Sequence, residues 1–427
     1  MRYFYTLLLY LALPMVLLRL WWRGRRSPAY RERWAERLGA FPGPQLRGSI
    51  WIHAVSVGET IAATPLISRL AAQYPERPLI VTTTTPTGSE RVQAAFGHNV
   101  HHSYLPYDLP GPLARFFDRV DPSVLVIMET ELWPNLFRTC SRRMVPLILA
   151  NARLSPGSFR GYQRVPGLVA ATLAQVGLVA AQSQADADRF VALGASADRV
   201  RVMGNLKYDL SVKPDDIEAG RALRQGLGSD RPVIVAVSTH QGEDSLVLDA
   251  FETVRVELPN TVLILVPRHP ERFDEAGALC EDRGFDVVRR SLGEATSTCD
   301  VLLGDSMGEM MRYLAAGDVA VVAGSFQPVG GHNVLEPAAL GLPVVFGPHM
   351  FNFEAAAAKV LASGAGRQVA DGGALATELL QLLRDDHARR RAGAAGLAMV
   401  ESNRGALDGL ADAVATALSQ QRHTQPE

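Results

Sequence analysis

Cysteine and lysine are nearly missing from this chain. Three cysteines, Cys140, Cys280 and Cys299, are scattered through 427 residues, and none belongs to a C-x-x-C pair. So sparse and odd a set excludes a disulfide framework and a zinc-thiolate site, and it fits a reducing compartment. Only Lys207, Lys213 and Lys359 are lysines; the other basic residues are arginines. An excess of either charge is missing as well, because 43 Lys+Arg oppose 44 Asp+Glu for a formal charge of -1. That balance excludes a protein that holds nucleic acid by bulk positive charge. There is no G-x-x-x-x-G-K-[ST] loop, no G-x-G-x-x-G after a strand pattern and no G-x-S-x-G, so the common ATP, dinucleotide and serine-hydrolase readings have no support.

What is present is ordinary for a folded protein: 47% hydrophobic and 20% charged residues, in a length that suggests two or three domains. The first segment is the exception. Tyr3 to Trp22 reads YFYTLLLYLALPMVLLRLWW, with Arg19 as its only charge. A run of roughly 20 apolar residues can cross a bilayer core. Aromatic residues stand at both ends, and Arg23, Arg25 and Arg26 follow at once, which places the rest of the chain on the cytoplasmic side. A cleaved signal peptide expects its charge before the apolar stretch and a small-residue cleavage site after it; here only Arg2 comes before, the main positive cluster comes after, and there is no A-x-A-like site. Residues 1–26 therefore read as an uncleaved anchor. Pro14 and Arg19 leave open a helix only half inserted, in one leaflet.

After Phe41-Pro42-Gly43-Pro44, short apolar runs alternate with helical patterns. The runs Ile50–His53, Leu79–Thr83, Val124–Met128, Leu147–Ala150, Leu178–Ala181 and Val200–Met203 are predicted strands of a first half, residues 27–210. The pattern restarts with Val233–Val237, Val262–Val266, Val301–Leu303, Val319–Val322 and Val344–Phe346 in a second half, residues 211–427, which ends in Ala- and Leu-rich helices. Alternating βα units predict an α/β fold with parallel sheets. Ligands bind such sheets at the carboxyl ends of strands, so chemistry is sought in the loops that follow them.

Those loops hold the unusual residues. In Trp51-Ile52-His53-Ala54-Val55-Ser56-Val57-Gly58-Glu59, a strand ends and a helix begins. Glu59 is either an acid favoured at a helix start or a general base. Thr82-Thr83-Thr84-Thr85-Pro86-Thr87-Gly88 either offers hydroxyls to a phosphate or sugar, or is turn chemistry. Glu129-Thr130-Glu131 sets two carboxylates at a strand end, suited to charge stabilisation and substrate orientation; as a metal site the pattern is weak. Lys207, in Gly204-Asn205-Leu206-Lys207, is either a surface lysine or an ammonium that neutralises a leaving phosphate. In the second half Pro267 and Arg268 come straight off a strand, where a guanidinium can clamp a phosphate. Gly308, Glu309 and Met310 follow another strand. Gly330-Gly331-His332-Asn333-Val334-Leu335-Glu336-Pro337 turns into a helix whose free N–H groups suit an anion, with Glu336 placed to accept from ribose hydroxyls.

Taken together, HAVSVGE, TTTTPTG, YLPYDLP, ETELWPN, NARLS, GNLKYD, VPRHPERF, GDSMGEM and GSFQPVGGHNVLEPAALGLPVVFGP resemble the 3-deoxy-D-manno-octulosonic acid (Kdo) transferases of Gram-negative bacteria, from His53 to Pro348. The resemblance implies a GT-B glycosyltransferase fold, two Rossmann-like domains facing a cleft, with an acceptor domain first and a CMP-sugar domain second. It implies CMP-Kdo as donor, lipid IVA as acceptor, the cytoplasmic leaflet of the inner membrane as location, no metal or other cofactor, and no nucleic acid partner. By the same resemblance Glu59 matches the proton acceptor, Glu129 and Lys207 match transition-state stabilisers, and Pro267, Arg268, Gly308, Glu309, Met310, Asn333, Val334, Leu335 and Glu336 match CMP-binding positions. The rival readings are a related nucleotide-sugar epimerase or transferase of other specificity, and a membrane-tethered nucleotide-binding scaffold without catalysis.

Overall fold

The computed structural model describes residues 1–210, 212–293 and 297–422. The chain forms two units. The first comprises residues 1–209 and the stretch from Arg404 onward; the second is Leu210–Asn403.

The first unit is built on seven parallel strands: β1 (Ser49–His53), β2 (Leu79–Thr83), β3 (His101–Tyr104), β4 (Pro122–Met128), β5 (Leu147–Ala152), β6 (Leu178–Ala181) and β7 (Val200–Val202), in the order β3-β2-β1-β4-β5-β6-β7. β1 and β4 are the centre, paired from Ile50 opposite Val124 to His53 opposite Ile127. Both are buried along nearly their whole length, as strands covered by helices on two faces must be. Trp51, Phe116 and Phe117 pack on one face of the sheet, and Ile50, Ile52, Leu66 and Ile67 on the other.

The second unit repeats the plan with β8 (Val233–Thr239), β9 (Val262–Pro267), β10 (Val287–Arg289), β11 (Val301–Leu303), β12 (Val319–Val322), β13 (Val344–Phe346) and β14 (Gly366–Gln368), in the order β10-β11-β9-β8-β12-β13-β14. Every pairing in both sheets is parallel. In each sheet the strand order reverses at the centre, between β1 and β4 and between β8 and β12, and in the second sheet β10 also lies outside β11. Loops leaving the carboxyl ends of such a pair run in opposite directions and open a crevice between them.

One boundary needs correction. The last helix of residues 211–427 does not belong to the second unit: helix Ala406–Arg422 packs on helix Val57–Gln73 and on β4 and β5 of the first unit. Asp209, where the chain leaves that unit, accepts from Gly405 N–H (2.7 Å) and Leu407 N–H (2.8 Å), where it returns. That carboxylate caps the returning helix. The partner is almost two hundred residues away in the chain, so local pattern could not show it.

Candidate active site

At the first reversal point, three carboxylates gather. Ser56 caps helix Val57–Gln73, and Glu59 stands in its first turn. The Val55 N–H donates to Glu59 Oε2 (2.8 Å) and the Ser56 hydroxyl to Oε1 (3.1 Å). Ser-x-x-Glu is thus a capping box: the cap fixes the carboxylate, and burial tunes it. Its pKa is pushed up to about 7, chiefly by burial and further by the charge of Glu129, against the pull of the Val55 and Ser56 bonds. A general base works best with a pKa near the operating pH.

Glu129 follows β4 in a left-handed backbone conformation (φ +56°), which a non-glycine residue adopts at a cost. Its N–H donates to the Ala150 carbonyl at 2.8 Å. Glu131, two residues on, also has its pKa raised to about 7, by burial first and then by the charges of Glu59 and Glu129. Sequence reasoning noted Glu131 as half of an acidic pair but did not select it; only the fold shows it beside Glu59. Three carboxylates this close cannot all ionise freely at neutral pH.

Lys207 lies on the short turn Leu206–Tyr208, which packs against the Glu59 helix, and its side chain is exposed. The turn is fixed from below: Asn151 Oδ1 accepts from Leu206 N–H (3.1 Å), and Asn205 Oδ1 accepts from Lys207 N–H (3.0 Å). The threonine loop has internal work to do. Thr82 accepts from Trp51 Nε1 (2.9 Å), Thr83 pairs with His102 (3.0 Å), Thr84 donates to the Val55 carbonyl (3.1 Å) and Thr85 caps helix Pro86–Phe96. Of the two readings of that loop, turn chemistry describes these hydroxyls.

The second reversal point is built differently. Glu243, fully buried, accepts from His240 N–H (2.9 Å), Gly324 N–H (2.7 Å) and Phe326 N–H (2.9 Å). One carboxylate thereby ties the loop after β8 to the loop after β12. Above it three imidazoles meet. His240 and His332 have Nε2 atoms 2.8 Å apart, nearly parallel planes (7°) and centroids 5.1 Å apart. Those values fit together only when both nitrogens lie near the line of centres, so the contact is an edge-to-edge N–H···N bond, not a face-to-face stack. His269 meets His240 edge-on, with centroids 5.3 Å apart. Burial, the other imidazoles and Arg268 hold His332 neutral, with its pKa down to about 4. Gly324 (φ +68°) makes room for this: a Cβ there would lie 2.6 Å from the His332 ring.

Arg268 follows buried Pro267 at the end of β9, and its side chain is exposed. Around Gly308, Glu309 and Met310 the carboxylate of Glu309 is already committed. Burial works to raise its pKa, but bonds from Arg290, Ser306 and Arg312 outweigh that and bring it to about 2. Asn333 Nδ2 donates to Glu336 Oε1 (3.1 Å), and Asn333 Oδ1 accepts from Leu335 N–H (3.1 Å). Burial raises the Glu336 pKa. The sequence-selected residues of this half thus lie at the carboxyl end of β9 and in the loops and first helical turns that follow β9, β11 and β12 of one sheet. Among the described residues, no group of three or more His, Cys, Asp or Glu side chains is arranged to hold a metal ion.

Residues 32–210 match a family model described as 3-deoxy-D-manno-octulosonic-acid transferase (kdotransferase). The Haemophilus influenzae 3-deoxy-D-manno-octulosonic acid transferase is 42% identical over 418 residues, covering 96% of this chain and 97% of that protein. The chain belongs to the Kdo transferase family. A Bordetella pertussis Kdo transferase is 38% identical over 426 residues, 96% of this chain and 98% of its own length. Membership makes the protein a glycosyltransferase. For the fold, the UDP-GlcNAc 2-epimerase of Neisseria meningitidis superposes with a TM-score of 0.56 at 12% identity, over 87% of this chain and 100% of that one. Anabaena HepE superposes with a TM-score of 0.53 at 17% identity over the same shares. Two Rossmann-like units of this kind are the GT-B class expected from sequence.

Proposed function

We propose that this Kdo transferase moves Kdo from CMP-Kdo to the 6'-hydroxyl of a lipid A precursor, lipid IVA, by a single inverting displacement with Glu59 as general base. The observation that carries the reading is the Glu59 carboxylate: fixed by Val55 and Ser56, half-buried, and raised to about 7 beside a second carboxylate. In the reaction, Glu59 takes the hydroxyl proton as the acceptor oxygen bonds to C2 of Kdo. The bond from C2 to the phosphate oxygen breaks, and CMP leaves with the electron pair. Attack and departure on opposite faces invert the centre.

Glu129 orients the acceptor and holds the charge balance around Glu59, and Lys207 offsets charge on the departing phosphate. On the second unit Arg268 grips that phosphate. The backbone at Gly308, Glu309 and Met310 and at Asn333, Val334 and Leu335 receives the nucleotide, and Glu336 accepts from the ribose. The Glu309 carboxylate acts through its arginines, since they already saturate it. The scheme calls on no metal. The arginines after the N-terminal helix support a location on the cytoplasmic leaflet of the inner membrane.

The test is to incubate purified protein with CMP-Kdo and lipid IVA and to weigh the products. A lipid IVA mass increased by Kdo, formed with CMP-Kdo and not with a UDP-sugar, is the expected result. Binding of CMP without any product would leave only a nucleotide-binding protein.

A further inference from the structure

Helix Arg2–Arg23 is long and apolar enough to cross a membrane, and none of its residues is fully buried. At 1.5 Å per residue, its 22 residues span about 33 Å, close to the roughly 30 Å of a bilayer core. A helix that crosses puts its two ends in different aqueous compartments. The contacts of this helix dock its start on the first unit, the unit into which the chain runs from its end. At its start, Arg2 donates to Asn135 Oδ1 (3.3 Å), the Thr6 hydroxyl donates to the same oxygen (3.1 Å), and the Tyr5 hydroxyl donates to Asp108 Oδ2 (3.0 Å). Met1 reaches Gly167. At its end, Arg31 Nε donates to the Trp21 carbonyl (3.1 Å), and the Arg23 guanidinium sits over the Tyr30 ring. Between the ends, the half-covered positions are Arg2, Tyr5, Thr6, Leu9, Ala12, Leu13, Val16, Leu17 and Leu20. They recur at the helical period and mark one stripe. The opposite face, with Tyr3, Phe4, Leu7, Leu11, Met15, Leu18 and Trp22, is exposed.

The dock itself is specific. Asp108 follows β3 and accepts from the N–H groups of Asn135 (3.0 Å) and Leu136 (2.7 Å) at the start of helix Pro134–Arg142. That helix follows directly on Glu129-Thr130-Glu131. The anchor is therefore fastened to the helix that follows the loop carrying two of the three site carboxylates.

We propose that the N-terminal helix lies within one leaflet, with its exposed face in the acyl chains and its stripe against the first unit, and does not cross the bilayer. An exposed apolar face of this size has no stable home in water, whereas a helix lying in the interface needs only one leaflet. Arg19 then reaches the headgroups at no more cost than its neighbours Arg23 and Arg25. The inference rests on the reading of the first unit as the lipid-acceptor unit in one respect only. The dock explains how a headgroup would be presented at Glu59.

The experiment places a protease-cleavable hydrophilic tag before Met1 of the full-length protein and compares sealed vesicles of both orientations. The tag is expected to be cut only in the orientation in which a second cleavable site, inserted at exposed Val256, is also cut. Cutting of the tag only in the opposite orientation would overturn the proposal. A Thr6→Cys, Asn135→Cys pair in native membranes gives a second measure. A disulfide should form under mild oxidation, and none would form if the helix crossed. Neither readout depends on turnover, so a failed activity assay leaves both intact.

Discussion

The two sheets share one plan, yet their crevices carry opposite chemistry. At the end of β1 and β4 stand Glu59, Glu129 and Glu131, with two of these pKa values raised to about 7. At the end of β8, β9 and β12 stand Arg268 and three imidazoles, with the local carboxylates Glu243 and Glu309 absorbed by backbone N–H groups and arginines. The topology fixes where a ligand is met. The loop residues decide whether that place withdraws a proton or receives an anion. One crevice gathers carboxylates, and the other sets an arginine beside imidazoles held neutral; on the proposed reading the first withdraws a proton and the second receives a phosphate.

Substitutions at either crevice should therefore separate by the substrate they touch. The largest effect is expected for Glu59→Gln, a fall of about 10²–10⁴ in kcat with CMP affinity unchanged in calorimetry. Arg268→Ala should do the reverse, raising KM for CMP-Kdo about 10–100-fold by loss of a charge-assisted contact, with the acceptor KM unmoved. An equal effect of both variants on both substrates would dissolve the contrast. Gly324→Ala comes next. Its side chain meets the His332 ring at a positive φ, so a stability loss of about 1–3 kcal/mol is expected in thermal unfolding, together with weaker CMP binding.

The smallest effect tests the carboxylate cluster by stability. The folded-state pKa of Glu131 is raised above its ordinary value of 4.5. Its contribution to stability is therefore complete below about 4.5 and lost as pH rises through about 7. Glu131→Gln should unfold like the native protein at pH 5 and gain on the order of 1 kcal/mol over it at pH 8. A uniform shift at both pH values would mean that Glu131 is not held protonated by its neighbours.

Much of this contrast was legible in the sequence, and the omissions have physical reasons. The eleven strand runs read from sequence are all strands: ten lie inside their sheets, where covered parallel strands are continuous apolar runs, and the eleventh, β7, is an edge strand whose Val200 and Val202 keep the pattern. The strands not read are β3, β10 and β14, and each lies at the edge of its sheet. His101-His102-Ser103-Tyr104 and Gly366-Arg367-Gln368 carry polar residues because an edge strand need not be covered on every side. Strand-end loops were found for the same reason that the strands were. The pairing within them was not. Nothing local says that Glu243 will accept three N–H groups from two loops, that His240 will face His332, or that Asp209 will cap a helix that begins at Ala406. Apart from the His240 N–H, three residues from Glu243, those contacts join residues 81 to nearly 200 positions apart, and they exist only once the sheet has set its strand order.

The account turns on Glu59 being a base whose pKa is lifted by burial and by Glu129. The pH dependence of kcat/KM reports the free enzyme's essential groups, and it can be measured for the native protein and for Glu129→Gln side by side. The native profile is expected to rise with pH through an apparent pKa near 7, and the variant's rise to move to lower pH. A native rise near 4.5, or the same midpoint in both proteins, would contradict the assignment.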